Sequence, residues 1–141
     1  MSKPRYILDA GPLIAYANSR DVHHAWACGV LDAIGEAPIV PEIVIAEACW
    51  VLRSSKSTIN ELMTLTQSGA VRLVPILGPS NPKILEWMMK YWPRMDLADA
   101  CVLSLSERNP QARIITTDLR DFGVYRINGK PLPIIAPHLP V

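Results

Sequence analysis

The chain has 141 residues, half of them hydrophobic and 19% charged, with 14 basic against 13 acidic side chains and a net charge of +1. That length suits one compact domain over 1–141, no apolar run nears the ~20 residues of a membrane span, and the apolar stretch before Asp9 is too short for a secretory leader. The balanced charge excludes a broad basic coat for nucleic acid, so any RNA would have to be handled at a local site.

The chain is therefore expected to be cytoplasmic. Cys28, Cys49 and Cys101 are odd in number and lack CxxC spacing, which predicts buried free thiols. The apolar content exceeds what one small core hides, which points to an apolar surface for another chain.

Tyr6-Ile7-Leu8 reads as a strand stopping at Asp9, and Pro12 then sits in the first turn of a helix continuing through Leu13 to Ala17. A second helix is predicted from about Val22 to Ile34, with Asp21 as its N-cap. Ile39-Val40 is a brief strand, and Pro41 opens a helix through about Arg53. Ile59, Leu62, Met63 and Leu65 give helical spacing over 57–67, with Gly69 as the stop. Val71 to Leu77 is strand-like, Pro79 to Tyr91 helical, and Leu97 to Glu107 helical before Asn109-Pro110. Ile114 to Thr117 is a strand ending at Asp118, and Val124 to Ile135 a last strand or extended tail. This alternation predicts an α/β fold on a parallel sheet with helices on both faces.

Several acids stand where bland sequence would not put them. Asp9 and Asp118 follow predicted strands, and the carboxyl ends of parallel strands are where open sheets bind ligands. Glu47 interrupts the apolar helix Ile43 to Leu52, and Asp99 interrupts Leu97 to Leu103. A carboxylate in such surroundings must be protonated, hydrogen-bonded or bound to a cation. Asp96 lies one turn before Asp99 and reads foremost as a helix N-cap; Asp121 has the same spacing from Asp118, which can itself cap a short turn over Leu119 to Phe122. Converging carboxylates repel one another, and a hard divalent ion with oxygen ligands and retained waters relieves this while activating water against a phosphodiester. His23, His24 and His138 do not form a His-dependent hydrolase pattern, and no serine sits in a GxSxG elbow. Trp50, Trp87 and Trp92 read as core or interface residues, and Arg53, Arg94 and Arg120 as candidates for phosphate contacts.

Four segments in order resemble the PIN-domain family. Tyr6-Ile7-Leu8-Asp9-Ala10-Gly11-Pro12-Leu13-Ile14-Ala15 resembles its opening, and Pro41-Glu42-Ile43-Val44-Ile45-Ala46-Glu47-Ala48 its second acidic segment. Met95-Asp96-Leu97-Ala98-Asp99-Ala100 and Ile115-Thr116-Thr117-Asp118-Leu119-Arg120-Asp121-Phe122 resemble its third and fourth. The nearest subgroup is the VapC-type toxins of toxin–antitoxin pairs. The resemblance implies a PIN-like three-layer α/β/α sandwich with a mainly parallel sheet, and an endoribonuclease dependent on Mg²⁺, with Mn²⁺ as the alternative ion. It implies a VapB-type antitoxin partner, an RNA substrate and a homodimer. It assigns catalysis and metal binding to Asp9, Glu47, Asp99 and Asp118, with Asp96, Asp121 and Thr117 as accessory residues, Thr117 through a hydroxyl that steadies Asp118 or a water. Many relatives carry Ser or Thr where this chain has Gly11. The alternative is a catalytically silent PIN-like interaction module, which would be expected to have lost at least one of these acids. A phosphoacceptor receiver domain is disfavoured by Ala10-Gly11 after the first aspartate and by the absence of a lysine between Lys90 and Lys130, and a haloacid-dehalogenase-type phosphatase because Gly11 occupies its second aspartate position.

Overall fold

The structure is a computed structural model describing residues 3–78 and 81–138. Tyr6–Leu8 forms β1, in which Ile7 and Leu8 are both fully buried, as a strand covered on two faces requires. Helix α1 (Ala10–Ala17) and helix α2 (His24–Ala33) follow, then β2 (Ile39–Pro41), α3 (Glu42–Val51), α4 (Lys56–Gln67) and β3 (Arg72–Val74). After these come α5 (Lys83–Lys90), α6 (Leu97–Arg108), β4 (Arg113–Ile115), the short α7 (Leu119–Phe122), the strands β5 (Arg126–Ile127) and β6 (Lys130–Pro131), and β7 (Ile134–Ile135).

The main sheet has the order β3-β2-β1-β4-β7, and every pairing in it is parallel. The chain moves outward from β1 through β2 to β3, then returns to place β4 on the other side of β1. Strand order thus reverses between β1 and β4, which opens a crevice at their carboxyl ends. Helix α6 rests on β1, β2 and β4, and is buried without interruption from Ala98 to Ser106. Helix α5 packs on α6, while α1 gathers α2, α3 and α4. The expected α/β sandwich on a parallel sheet is the one found.

Local chemistry explains the element ends, including those read differently from sequence. Asp21 does not cap α2: its carboxylate accepts from the His23 N–H at 2.8 Å and its carbonyl from the His24 N–H at 3.0 Å, forming a turn that delays the helix to His24. Helix α4 begins at Lys56, one residue ahead of the predicted start, capped by the Ser55 hydroxyl, and Gly69 ends that region at φ 83°. The strand expected over 71–77 is limited to Arg72–Val74, since Pro75 offers no N–H to extend the ladder. The predicted helix start at Pro79 lies outside the described residues, and α5 begins at Lys83. The 114–117 strand stops at Ile115, leaving Thr116 and Thr117 free to bend.

The region from Val124 to Ile135 is neither one strand nor a tail. Asn128 and Gly129, at φ 52° and 75°, turn β5 back onto β6 as an antiparallel hairpin, the geometry that a two-residue Asn-Gly loop favours. β7 then joins the sheet edge beside β4. Of the three thiols, Cys101 is buried, whereas Cys28 and Cys49 are only partly covered. No helix among the described residues is long and apolar enough to cross a membrane.

Candidate active site

Asp9 follows β1 directly, with extended backbone, and its N–H donates to the Ile115 carbonyl of β4 at 3.0 Å. That bond pins the residue to the reversal point of the sheet. Asp118 comes from the same crevice, three residues past β4, where its carboxylate caps α7 by accepting from the Asp121 N–H at 2.9 Å. Asp96 caps α6 in the same way, accepting from the Asp99 N–H at 2.8 Å. This places Asp99 in the first turn of a buried helix, only 9% exposed. Glu47 reaches the group from α3 and is half-buried, not enclosed by apolar side chains as its sequence suggested. Ala46, Trp50 and Val51 of that helix face solvent, and the apolar excess lies on the surface.

Electrostatics show that these acids share one region. Burial pushes the Glu47 carboxyl up to about 7, and Asp96, Asp9 and Asp118 add repulsion. Burial pushes Asp99 up to about 8, opposed by a hydrogen bond from Tyr125 and reinforced by Asp96, Asp9 and Asp118. Asp9 rises to about 6 by burial, held back by Thr116 and the Ala10 N–H and raised further by Asp118 and Asp96. Asp121, at the margin, is also raised, first by burial and then by Asp118.

Two buried hydroxyls, both overlooked in the sequence, organise the acids. The Thr116 hydroxyl donates to Asp9 Oδ2 at 2.8 Å and accepts from the Asp118 N–H at 3.0 Å, joining two of the predicted site residues through one atom. The Tyr125 hydroxyl donates to Asp99 Oδ2 at 2.7 Å. Its ring is fixed edge-to-face against Tyr91 and Phe122, with centroids 5.0 and 5.3 Å away. Burial, and next the Asp99 carboxyl, raise the Tyr125 phenol, so it keeps its proton and remains a donor.

Thr117, the threonine expected to steady Asp118, is placed differently. Its hydroxyl lies over Gly11, where a β-carbon on residue 11 would stand 2.0 Å from Thr117 Oγ1. Glycine at position 11 is what leaves room for the Thr117 hydroxyl there.

The donors available are all oxygen, several are buried and mutually repelling, and the crevice is at a sheet switch point. That combination fits a hard divalent cation. Among the described residues, no three His, Cys, Asp or Glu side chains stand arranged to hold an ion directly.

The PIN domain family model matches residues 6–128. The chain belongs to the PIN domain family. Among curated proteins it is similar to Ribonuclease VapC26 of Mycobacterium tuberculosis, 27% identical over 126 residues that cover 87% of this chain and 93% of that protein. Among solved structures it is similar to Mycobacterium tuberculosis VapC20, described as a sarcin-ricin loop cleaving toxin, with a TM-score of 0.75 and 14% identity over 86% of this chain and 96% of the other. A toxin–antitoxin complex from Klebsiella pneumoniae matches with a TM-score of 0.66 and 16% identity, covering 94% of this chain and 98% of that one. VapBC2 of Rickettsia felis, solved with a promoter DNA fragment, matches at 0.62 and 15%, covering 93% and 97%. At such identities the structural likeness speaks for the PIN fold alone.

Proposed function

We propose that this PIN domain is a divalent-metal-dependent endoribonuclease, the toxin of a toxin–antitoxin pair, cutting RNA at the crevice lined by Asp9, Glu47, Asp99 and Asp118. The observation that carries this reading is the gathering of these acids, with Asp96, near the carboxyl ends of the central strands β1 and β4, where they repel one another. Proteins do not hold such a cluster for stability, since each buried charge costs free energy until a cation offsets it. The ribonuclease name of the curated relative and the toxin–antitoxin setting of the structural neighbours agree with it. A silent interaction module is the weaker reading, because every acid of the constellation is present.

When bound, Mg²⁺ or Mn²⁺ would neutralise the carboxylates, activate a water and stabilise charge growing on the phosphate. Asp9 and Asp99, each with one oxygen taken by a hydroxyl, are the residues to hold it. Glu47, half-buried and open on one side, is suited to receive the proton of the attacking water. Asp118 supports the crevice from its cap on α7. Trp50 and Val51 stand exposed on α3, and an open cleft of about 260 Å³ is lined by Ile43 and Ala46 of the same helix with Pro75, Ile76, Leu77 and Cys101. This apolar surface suits the antitoxin, and the exposed Leu85, Met89 and Trp92 near α5 suit a second copy in a homodimer.

The deciding experiment incubates purified protein with RNA in Mg²⁺, Mn²⁺ or EDTA, alongside Asp99→Asn and Glu47→Gln. Cleavage should need the ion and vanish in both variants. Expression without the antitoxin should arrest growth, and Asp99→Asn should relieve the arrest. Cleavage retained in EDTA or by Asp99→Asn would overturn the assignment.

A further inference from the structure

An acidic crevice has to hold a polyanion against its own charge, so a compensating cation should stand at its rim. The structure separates the three candidate arginines. Arg53 is folded back on its own helix, its guanidinium 3.8 Å from the Trp50 ring centroid and its Nη1 donating to the Trp50 carbonyl at 2.8 Å. Arg94 and Arg120, from different parts of the chain, instead line one open depression of about 400 Å³ with Pro93 and Asp121.

That depression adjoins the site. Arg94 lies in the turn leading to Asp96, and Arg120 is the second residue of the helix that Asp118 caps. Asp121, on its wall, donates its N–H to Asp118 Oδ1 at 2.9 Å. Both arginine side chains are exposed to solvent at the rim of the depression. Arg94 Nη1 donates to the Arg120 carbonyl at 3.4 Å and makes a long, partly exposed ion pair with Asp121 Oδ1 at 3.7 Å, an exposed contact worth little that a phosphate can replace. Among the described residues, the Arg120 side chain takes no hydrogen bond or ion pair. Two cations therefore face one carboxylate, and planar forks of this kind match a phosphate's oxygens.

We propose that Arg94 and Arg120 form a phosphate subsite that grips a backbone phosphate of single-stranded RNA next to the scissile bond, without reading its bases. The inference rests on the ribonuclease reading above. It accounts for how a chain of net charge +1 holds RNA beside its acids. Exposed single strands are also the form in which a phosphate can enter a shallow depression with its bases turned elsewhere.

The test measures binding of two fluorescein-labelled single-stranded RNAs of unrelated sequence, by anisotropy in EDTA, between roughly 50 and 200 mM salt. Each of Arg94→Ala and Arg120→Ala should weaken binding equally for both RNAs and make the plot of log affinity against log salt shallower by about 0.7, with about 1.4 for the pair. Arg94→Lys should keep the slope. In Mg²⁺ the double variant should show a raised KM, with kcat held within about twofold of wild type. An unchanged slope in the double variant, or a loss confined to one sequence, would overturn the subsite. Wild-type protein that neither binds nor cuts RNA would instead sink the ribonuclease reading on which the subsite rests.

Discussion

Replacing Asp99 by Asn removes one charge from the most strongly perturbed group in the crevice, and the structure sets the size of the effect. Asp99 is 9% exposed, and its carboxyl is pushed up to about 8 by burial and by its acidic neighbours. In an unfolded chain the same carboxyl titrates near ~3.9. A folded pKa raised in this way gives stability that is fully present below pH ~4 and is lost as pH rises through about 8. At pH ~7.5 the loss works out at about 4–5 kcal/mol by linkage, and roughly half of that once relaxation and water entry are allowed.

Asparagine carries no charge and keeps an oxygen for the Tyr125 hydroxyl. In EDTA at pH ~7.5, Asp99→Asn should therefore melt ~6–10 °C above wild type, at ~3–4 °C per kcal/mol for a chain of this size. At pH ~5, only about one unit above the unfolded pKa, little of that loss has yet accumulated, and the gap should shrink to ~2–3 °C. Saturating Mg²⁺ should narrow or reverse it, because only the wild type gains the binding free energy, about 2.7 kcal/mol at a hundredfold excess over Kd. Differential scanning fluorimetry reads all three conditions. A variant melting at or below wild type in EDTA at pH ~7.5, or a gap that ignores pH, would refute the reasoning.

Tyr125→Phe keeps the ring contacts with Tyr91 and Phe122 but frees Asp99 Oδ2, so Mn²⁺ affinity by calorimetry should fall ~10-fold or more. An unmoved Kd would show that the hydroxyl does not orient the carboxylate. Gly11→Ala places a β-carbon 2.0 Å from Thr117 Oγ1 and should cost ~1–3 kcal/mol by urea unfolding. The same change in a Thr117→Ala background meets no oxygen there and should cost clearly less; strict additivity of the two changes would contradict the packing described.

How far the site could be read from sequence depends on the range of the interaction concerned. The parallel sheet followed from alternating segments, and Asp9, Glu47, Asp99 and Asp118 stood out because each breaks an apolar run or ends a strand. Thr116 and Tyr125 did not, because their bonds join residues 107 and 26 positions apart and leave no local pattern. A buried tyrosine requires a partner for its hydroxyl, yet sequence does not name it. Glu47 was read as enclosed because its helix is apolar all round, and composition alone cannot show which apolar side chains the core leaves outside. Asn128-Gly129, by contrast, carried a local hairpin signal that the extended reading of 124–135 passed over.

The Thr116–Asp9 bond links the carboxyl end of the first strand to the carboxyl end of a strand more than a hundred residues later. Chains emerge from the ribosome at roughly 5–20 residues per second, so the early acids are made seconds before the threonine that orients them. Until residues 113–125 arrive, β1 lacks its neighbour β4, and neither hydroxyl is present to set a carboxylate. If the chain cuts RNA, its cutting centre cannot be assembled before β4 and Tyr125 have been made. The order of the strands thus leaves the early acids without their hydroxyl partners through most of this domain's synthesis.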